Sequence, residues 1–190
     1  MNAQEQFWAG DFGDSYLKRN RVDWRARIPF WEQIIGSTGA RSVHEFGCNA
    51  GWNLTAIKRQ FPHVCVHGTE LNHKAATQAN AAGLDVSVGS EIDEWMRDSV
   101  ELVFTSGVLI HIAPENLRKT MQMIVDTSCD YVLAIEYEDI KETEVTYRGH
   151  SERLWRRPYG RLYEALGLTL VDFGDAGPGF DSCTYWLLRK

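Results

Sequence analysis

This sequence lacks the features that would indicate a metal site, a disulfide framework, a membrane protein or a nucleic-acid-binding protein. Its four cysteines lie far apart without a Cys-x-x-Cys pair, and we interpret them as buried free thiols. No apolar run of about 18 residues is present, and the first residues lack the basic and apolar parts of a signal peptide. A formal net charge of −6 provides no general basic excess. We therefore expect a cytoplasmic protein, a monomer or homodimer, that binds no metal, membrane or nucleic acid.

From residue 42 onward the sequence alternates regularly between two patterns. Five short β-type runs (SVHEF, CVHGTEL, DVSVG, VELVFTSG and YVLAIEY) are separated by helical patterns, which predict helices or turns over 51–61, 72–82, 91–96 and 115–128. A helix is also predicted over 153–166, and two final β-type runs, LTLVDF and TYWLLR, flank a glycine- and proline-rich connection. The alternation predicts right-handed βαβ units, and the final pair predicts a hairpin. The expected fold class is α/β, a Rossmann-like three-layer sandwich with a mostly parallel sheet of all seven runs and a C-terminal antiparallel hairpin.

The N-terminal part of the chain does not follow this alternation. Residues 1–20 are rich in aromatic side chains interrupted by two glycines, which suits a segment folded over the protein better than a free tail. Apolar residues over 22–35 recur at three- and four-residue spacing, which predicts a helix. Because the chain is short and contains neither linker nor repeat, we expect one domain over 1–190, with an N-terminal helical lid (1–40) and a core (41–190).

The most informative stretch is SVHEFGCNAGWN, in which a β-type run ending in an acid turns abruptly into a helical pattern. Glu45 precedes the turn, and two glycines and an asparagine form it. A strand that turns so tightly into a helix aims backbone N–H groups and a helix N-terminus at one point in space. Glu70 ends the next β-type run, 19 residues beyond Gly51, where a carboxylate suits a ribose diol. Together these residues predict a site for a nucleoside cofactor.

The order of the elements and the residues at the strand ends resemble class I S-adenosylmethionine (SAM) dependent methyltransferases, over about residues 40–190. The resemblance implies SAM as cofactor and S-adenosylhomocysteine as product. It also implies that the glycine turn, with Asn49 where the family usually has glycine, cradles the methionine part. Ribose contacts then come from the second strand, adenine contacts from the third and sulfonium contacts from the fourth. The cofactor-binding residues that we expect are Tyr16, Arg19, Glu45, Gly47, Asn49, Gly51, Asn53, Glu70, Leu71, Ser90, Glu91, Ile92, Ser106, Gly107 and Val108.

A narrower resemblance rests on the opening FWAGDFGDSYLKRN and on VLIHIAPENL further along. Both stretches are similar to small methyltransferases called pseudaminic acid biosynthesis-associated methylases. The name of that group reflects genetic neighbourhood as much as chemistry. This resemblance therefore implies a small methyltransferase and does not by itself define the substrate.

His111 is the predicted catalytic residue, because it lies just beyond the fourth β-type run, where the resemblance places the methyl acceptor. Its unperturbed pKa of about 6.5 suits a general base near neutral pH. The alternative is a histidine that orients a loop or closes over the cofactor, since positioning alone carries much of the catalysis of methyl transfer from a sulfonium. Tyr16 and Arg19, in the N-terminal segment, are predicted to bind the methionine carboxylate.

A basic segment, YRGHSERLWRRPYGR at 147–161, stands out in an acidic protein. It contains five arginines and one histidine against a single acid, and guanidinium clusters suit carboxylate or phosphate groups. We therefore expect a small anionic acceptor, such as a sugar acid, a nucleotide-linked sugar or a carboxylated metabolite. Its predicted contacts are Tyr137, Tyr147, Arg148 and Arg156. The alternative is a solvated helix face whose arginines pair with nearby acids.

Two other functions stay open. An NAD-type oxidoreductase would share the ribose acid, but the spacing from Gly47 to Gly51 lacks the Gly-x-Gly-x-x-Gly pattern that admits a pyrophosphate. A non-catalytic SAM-binding or partner protein is not excluded by any residue, because methyltransferases need no invariant nucleophile. Cofactor binding distinguishes the first alternative, and a methyl-transfer screen distinguishes the second.

Overall fold

The computed structural model describes residues 1–90 and 96–190, and a mixed seven-stranded sheet forms its centre. The strands of the described residues are β1 (Ser42–Phe46), β2 (Cys65–Glu70), β3 (Val86–Val88), β4 (Val100–Ser106), β5 (Ser128–Glu136), β6 (Thr143–Glu144), β7 (Trp155–Arg156), β8 (Thr169–Asp175) and β9 (Thr184–Arg189). The order in the sheet is β3-β2-β1-β4-β5-β9-β8. Within this sheet of the described residues the antiparallel pairs are those of β9 with β5 and β8, so the predicted mostly parallel sheet and its C-terminal hairpin are confirmed.

Some of the helices begin or end at a residue suited to capping. Those of the described residues are α1 (Ala3–Ala9), α2 (Asp11–Arg19), α3 (Ile28–Thr38), α4 (Trp52–Gln60), α5 (His73–Ala81), α6 (Pro114–Thr127) and α7 (Tyr159–Glu164), with short 3-10 turns at Trp24–Arg27 and Leu109–His111. Asn72 Oδ1 accepts the Ala75 N–H at 3.0 Å and so begins α5, whereas left-handed Gly39 ends α3. In this part of the chain no helix has the length and apolar character needed to cross a membrane.

Helices cover both faces of the sheet, which produces the three-layer arrangement. Consecutive residues of a strand point to opposite faces, so Phe104 and Val103 of β4 enter two different hydrophobic clusters. Trp31 of α3 packs on Phe104, with ring centroids 4.6 Å apart, in the layer formed by α3, α4 and α5. Met121 of α6 and Tyr163 of α7 belong to the cluster on the other face. The predicted Rossmann-like sandwich is therefore confirmed.

The prediction of one helix over 153–166 is wrong at its start. Trp155 and Arg156 form β7, which pairs in antiparallel fashion with β6, and α7 begins only at Tyr159. Pro158 explains the break, because a proline disfavours helical geometry in the residue before it and caps the helix that follows. Burial of Leu154 and Trp155 favours the hairpin as well.

Two other predicted elements differ in detail. The helix predicted over 22–35 consists of the 3-10 turn at Trp24–Arg27 followed by α3, which continues to Thr38. The helical turn predicted over 91–96 falls almost wholly outside the described residues.

The first twenty residues fold into a pair of helices, α1 and α2, over the sheet edge. A capping box starts α1, because Asn2 accepts backbone N–H groups of the first turn while Glu5 Oε2 accepts the Asn2 N–H at 2.7 Å. Gly13 allows the two helices to approach closely, since a Cβ there would lie 1.8 Å from the Trp8 carbonyl oxygen.

Candidate functional site

A large cleft opens at the carboxyl ends of β1, β2 and β4, beneath α1 and α2. Between β1 and β4 the strand order reverses, which is the position where open α/β sheets bind ligands. The cleft volume is about 1960 Å³, larger than the roughly 300–1000 Å³ of common small-molecule pockets. The predicted site residues that line it are Tyr16, Glu45, Gly47, Asn49, Asn53, Glu70, Leu71, Ser90, Ser106, Gly107, Val108 and His111.

Other predicted residues lie elsewhere. Gly51 and Arg19 of the predicted cofactor set are outside this lining, as are the predicted acceptor contacts Tyr137, Tyr147, Arg148 and Arg156. Glu91 and Ile92, predicted at the adenine, belong to the residues that the structure does not describe.

The loop after β1 depends on residues that tolerate a left-handed backbone. Gly47 has φ +65° and Asn49 has φ +51°, and asparagine adopts this region more readily than most residues. A Cβ on Gly47 would lie 2.7 Å from Val108 Cγ2, so the loop packs directly on the segment after β4. Asn49 Oδ1 accepts the Ala50 N–H at 2.7 Å and fixes the turn.

Gly51 supports the loop from behind. Its φ is +74°, and a Cβ there would lie 2.2 Å from Leu84 Cδ1. The glycine therefore permits both the turn into α4 and close packing on Leu84, two residues before β3. Its contribution in this structure is conformational.

Glu45 is a buried acid with one oxygen available to a ligand. Its Oε1 accepts a hydrogen bond from Asn53 Nδ2 at 2.6 Å, and Asn53 Oδ1 in turn accepts from Arg27 Nη1 at 2.8 Å. Burial raises the pKa of Glu45 to about 8, although the bond from Asn53 and the charge of Arg27 act in the opposite direction. Its Oε2 is buried and has no hydrogen-bond partner among residues 1–90 and 96–190. An unsatisfied acceptor of this kind in a cleft lining suits a cationic ligand group.

Glu70 ends β2 and is held by the backbone. Its Oε2 accepts the Asn49 N–H at 2.7 Å, and its Oε1 accepts the Asn72 N–H at 2.8 Å. Burial raises the pKa of Glu70, while backbone N–H groups oppose the rise. Each carboxylate oxygen has more than one lone pair, so both keep acceptor capacity toward the cleft.

The N-terminal helices are fastened to the residues around the cleft. Asn72 Nδ2 donates to Asp14 Oδ1 at 2.9 Å, and Lys74 pairs with the other oxygen of Asp14. Gln4 Oε1 accepts the Ala113 N–H at 2.7 Å. The helices are therefore anchored both beside β2 and beside the segment after β4.

His111 lies in the 3-10 turn after β4 and is almost buried. Burial lowers its pKa to about 4, so the imidazole is neutral near pH 7. Its Nδ1 lies 2.6 Å from the Arg153 carbonyl oxygen, which can only accept, so Nδ1 carries the proton and Nε2 is free of one. The Trp8 and Tyr147 rings pack on it, with centroids 4.5 Å and 5.0 Å away. The ring is thus neutral with an unprotonated Nε2, but the lowered pKa makes it a weaker base than the unperturbed value of about 6.5 on which the predicted catalytic role relied.

The arginines of the basic segment do not converge on one site. The guanidinium groups of Arg148 and Arg156 lie 5.9 Å and 6.0 Å from the Tyr147 and Tyr137 rings, respectively. Arg157, by contrast, is only 1 % exposed. Arg19 of α2, a predicted cofactor contact, is also exposed and stacks on aromatic rings of the same helix. These placements favour local packing for most of the cluster.

Among the residues that line the cleft without having been predicted as site residues, three carry polar groups that bear on ligand binding. Arg27 donates from Nε to the Gly179 carbonyl oxygen at 2.9 Å as well as to Asn53. Trp8 and Trp52 each hold a buried indole N–H that has no acceptor within the described part of the chain. Trp52 was visible in the sequence as the first residue of α4, but no local pattern indicates that Arg27 reaches the same cleft.

Comparison with known proteins supports the fold. No protein-family model and no curated protein matches the chain. A 1,6-didemethyltoxoflavin-N1-methyltransferase from Burkholderia thailandensis, solved with S-adenosylhomocysteine, is 18% identical, with TM-score 0.76 over 100% of this chain and 91% of that one. Magnesium protoporphyrin IX methyltransferase from Synechocystis, with bound SAM, is 10% identical, with TM-score 0.70 over 100% of both chains. A SAM-dependent methyltransferase from Archaeoglobus fulgidus is 14% identical, with TM-score 0.70 over 95% of this chain and 100% of that one. The chain therefore has the fold of class I methyltransferases.

Proposed function

We propose that this protein is a SAM-dependent methyltransferase that acts on a small molecule. The observation that carries the proposal is the pair of buried acids, Glu45 and Glu70, which flank a left-handed loop at the point where the strand order reverses. Glu45 holds an unsatisfied oxygen within the cleft lining, and Glu70 lies where a ribose is bound in open α/β sheets. The solved structures of similar fold, which contain SAM or S-adenosylhomocysteine, support the same cofactor.

The residues of the cleft suit the parts of SAM one by one. Glu45 Oε2 would accept from the methionine ammonium, and the Gly47–Gly51 loop would lie along the amino-acid part. Glu70 would accept from the ribose hydroxyls, with Leu71 beside it. Tyr16 would contact the methionine carboxylate, and Asn53, which is hydrogen-bonded to Glu45, would lie beside the same part of SAM. Contacts to the adenine and the sulfonium would come from the remaining predicted residues Ser90, Ser106, Gly107 and Val108, with Glu91 and Ile92 outside the described part of the chain.

The chemistry asked of the protein is positioning and proton removal. Bound SAM supplies an electrophilic methyl group on a sulfonium. His111 Nε2, which carries no proton, would take the proton of an acceptor O–H or N–H. The lid of α1 and α2, fastened at Gln4 and Asp14, would exclude water during transfer. We regard residues 1–190 as one methyltransferase domain in which α1 and α2, the first half of the 1–40 segment, form this lid, whereas α3 packs on the sheet.

The acceptor in this proposal is a small anionic metabolite, such as a sugar acid or a nucleotide-linked sugar. The support for an anion is the basic segment of the sequence, because the cleft lining contains basic side chains (Arg27, Arg97, Arg118 and Lys119) together with five acids (Glu5, Glu45, Glu70, Glu115 and Asp126). Of the predicted acceptor contacts, Tyr147 is the best placed, because its ring packs on His111. The narrower likeness to pseudaminic acid biosynthesis-associated methylases is compatible with an acceptor of this class.

Calorimetry tests the cofactor assignment directly. We expect SAM and S-adenosylhomocysteine to bind the wild-type protein and NAD not to bind. Glu70→Gln should weaken S-adenosylhomocysteine at least tenfold, because a charged acceptor of two hydroxyls is lost. Glu164→Gln, at an exposed position on α7, is the matched control and should bind like the wild type.

Other results would redirect the proposal. Binding of NAD in place of SAM would indicate an oxidoreductase and contradict it. Binding of SAM without transfer to any of a broad set of sugar acids, nucleotide sugars and carboxylated metabolites would instead indicate a non-catalytic SAM-binding protein.

A further inference from the structure

The turn that carries His111 is held by two buried charged side chains that lie outside the cleft lining. The first is Glu136, at the end of β5, which has no measurable exposure. Its Oε1 accepts the N–H groups of Val108 and Leu109 at 3.2 Å and 3.1 Å, and its Oε2 accepts the Ile110 N–H at 3.3 Å. One carboxylate thus binds three consecutive backbone N–H groups just before His111.

Arg157 binds the same turn through its carbonyl groups. Its Nη1 donates to the Leu109 carbonyl oxygen and its Nη2 to that of Ile112, both at 2.9 Å. Its Nε donates to Glu142 Oε2 at 2.7 Å, and this half-exposed carboxylate orients the guanidinium. Glu136 and Arg157 therefore take up opposite polar groups of one short segment.

Burial of Glu136 and Arg157 costs free energy, which suggests that the pair is retained for more than stability. Burying two charged groups is expensive, and apolar replacements of similar size are often as stable. A 3-10 turn needs no carboxylate to satisfy its N–H groups when water can reach them, yet here the whole turn is buried. What the two side chains achieve is a fixed backbone on both sides of His111.

The segment that contains Arg157 also holds the imidazole ring of His111. Arg153, whose carbonyl oxygen lies 2.6 Å from His111 Nδ1, is four residues before Arg157 in the segment that forms β7. The segment 153–157 thus holds both the imidazole and the turn that carries it. The tautomer with an unprotonated Nε2 depends on this segment staying in place.

We propose that Glu136 and Arg157 are positioning residues that hold His111 in the orientation and tautomer needed to accept a proton from the methyl acceptor. The inference rests on the proposed function for the role of His111, but the clamp itself is defined by the contacts above. In this proposal Arg157, one arginine of the basic segment, holds the turn that carries His111 and does not bind an anion.

Glu136→Gln and Arg157→Lys test this role. The glutamine amide nitrogen would oppose at least one backbone N–H, and lysine cannot bind two carbonyl groups in a fixed fork. We expect the turnover number to fall about tenfold to a hundredfold, while KM and the affinity for S-adenosylhomocysteine stay unchanged. The exposed α7 residues Glu164→Gln and Arg161→Lys are the matched controls.

The second measurement needs no acceptor. The ring nitrogens of His111 are followed by NMR in the S-adenosylhomocysteine complex, with His111→Gln used for assignment. The wild type should show the Nδ1–H tautomer and a pKa well below 6.5. Both variants should show mixed tautomers and a pKa shifted upward toward 6.5, because the ring becomes solvated.

These readouts separate the two hypotheses. Variants with a wild-type His111 pKa and turnover would overturn the clamp, even if SAM binding and methyl transfer are established. A changed tautomer in a protein that transfers no methyl group would support the clamp and contradict the proposed function. If either variant fails to fold, Glu142→Ala removes the half-exposed partner of Arg157 Nε; it should shift the His111 pKa upward by a smaller amount, and no shift would contradict the proposal.

Discussion

Glu45 combines full burial with an oxygen that has no partner within the described ranges, and this combination makes ligand binding depend on pH. Burial raises its pKa to about 8, so the free protein holds a neutral carboxylic acid at pH 7. A cationic ammonium group binds the ionised form, so binding should release a proton. We expect the dissociation constant of S-adenosylhomocysteine to fall about tenfold for each pH unit up to 8 and then level off.

Isothermal titration in buffers of different ionisation enthalpy measures both the affinity and the released proton. Glu45→Gln should bind weakly with little dependence on pH, whereas Glu164→Gln should follow the wild type. A wild-type affinity that is constant between pH 6 and 8 would contradict the assignment of Glu45 to the ammonium group.

Gly51 is the glycine whose replacement should cost most among those of the turn. Gly51→Ala combines a φ of +74° with a Cβ placed 2.2 Å from Leu84 Cδ1. We expect a loss of about 2–4 kcal/mol in the free energy of unfolding, from backbone strain and overpacking together. Urea denaturation measures it.

Gly83→Ala is the matched control for Gly51→Ala, since its φ is +85° but no atom lies within 4 Å of the added Cβ. It should lose only the strain contribution, about 1 kcal/mol. Equal losses in the two variants would show that the packing on Leu84 is unimportant.

The individual site residues differ in how far the sequence could predict their contacts. Glu45 and Glu70 were predicted at the ends of strands, because strand ends are set by local patterns and share one sheet edge. Arg27 and Arg157 were not predicted in their observed contacts. Both reach backbone or side chains far away in sequence, the Gly179 and Leu109 carbonyl groups, through tertiary packing that no local period encodes.

At the scale of elements, the lid depends on a few anchors. Gln4→Ala removes the acceptor of the Ala113 N–H while leaving the capping box of α1 intact. The loss of one buried hydrogen bond, about 1 kcal/mol, should increase opening of the lid roughly fivefold. Limited proteolysis near residues 20–23 at low protease concentration measures the open fraction.

Gln6→Ala on the same helix is the control for Gln4→Ala, because Gln6 is exposed. Its cleavage rate should match that of the wild type. Bound S-adenosylhomocysteine should slow cleavage of all three proteins if the lid closes over the cofactor. A Gln4→Ala protein cleaved at the wild-type rate would show that the lid is anchored elsewhere.

Helices and strands with a strong hydrophobic period were predicted well, whereas the short strands of the β6–β7 hairpin were not predicted. The seven strands of the sheet follow from β-type runs, because all but β8 bury at least part of a face, and β8 was recognised from its β-type residues beside the glycine- and proline-rich connection. The β6–β7 hairpin has two residues in each strand, too few for a period, and its residues also fit a helical pattern up to Pro158. The resulting error placed Trp155 and Arg157 on a helix face, although both are buried beside the His111 turn.

For the molecule as a whole, several buried titratable groups have altered pKa values in opposite directions. Burial raises the pKa of Glu45 to about 8 and that of Glu136 to about 7. Burial lowers the pKa of His44 to about 3 and that of His111 to about 4. Below pH 6.5 the effects on stability oppose each other. The histidines then bind protons mainly in the unfolded state, whereas the acids bind them mainly in the folded state.

Between pH 6.5 and 8 the acids dominate, so the free energy of unfolding should fall as the pH rises. Unfolded glutamates have lost their protons throughout this window, while folded Glu45 loses its proton only toward pH 8; the unfolded histidines are half protonated at pH 6.5 and offset part of the fall as they lose their protons. The folded state thus binds more protons, and we expect a loss of about 1–2 kcal/mol. Urea unfolding at pH 6.5, 7.5 and 8.5 measures it. Glu45→Gln should remove most of the dependence and Glu164→Gln none of it; a wild-type protein equally stable at all three pH values would mean that Glu45 is already ionised in the folded state.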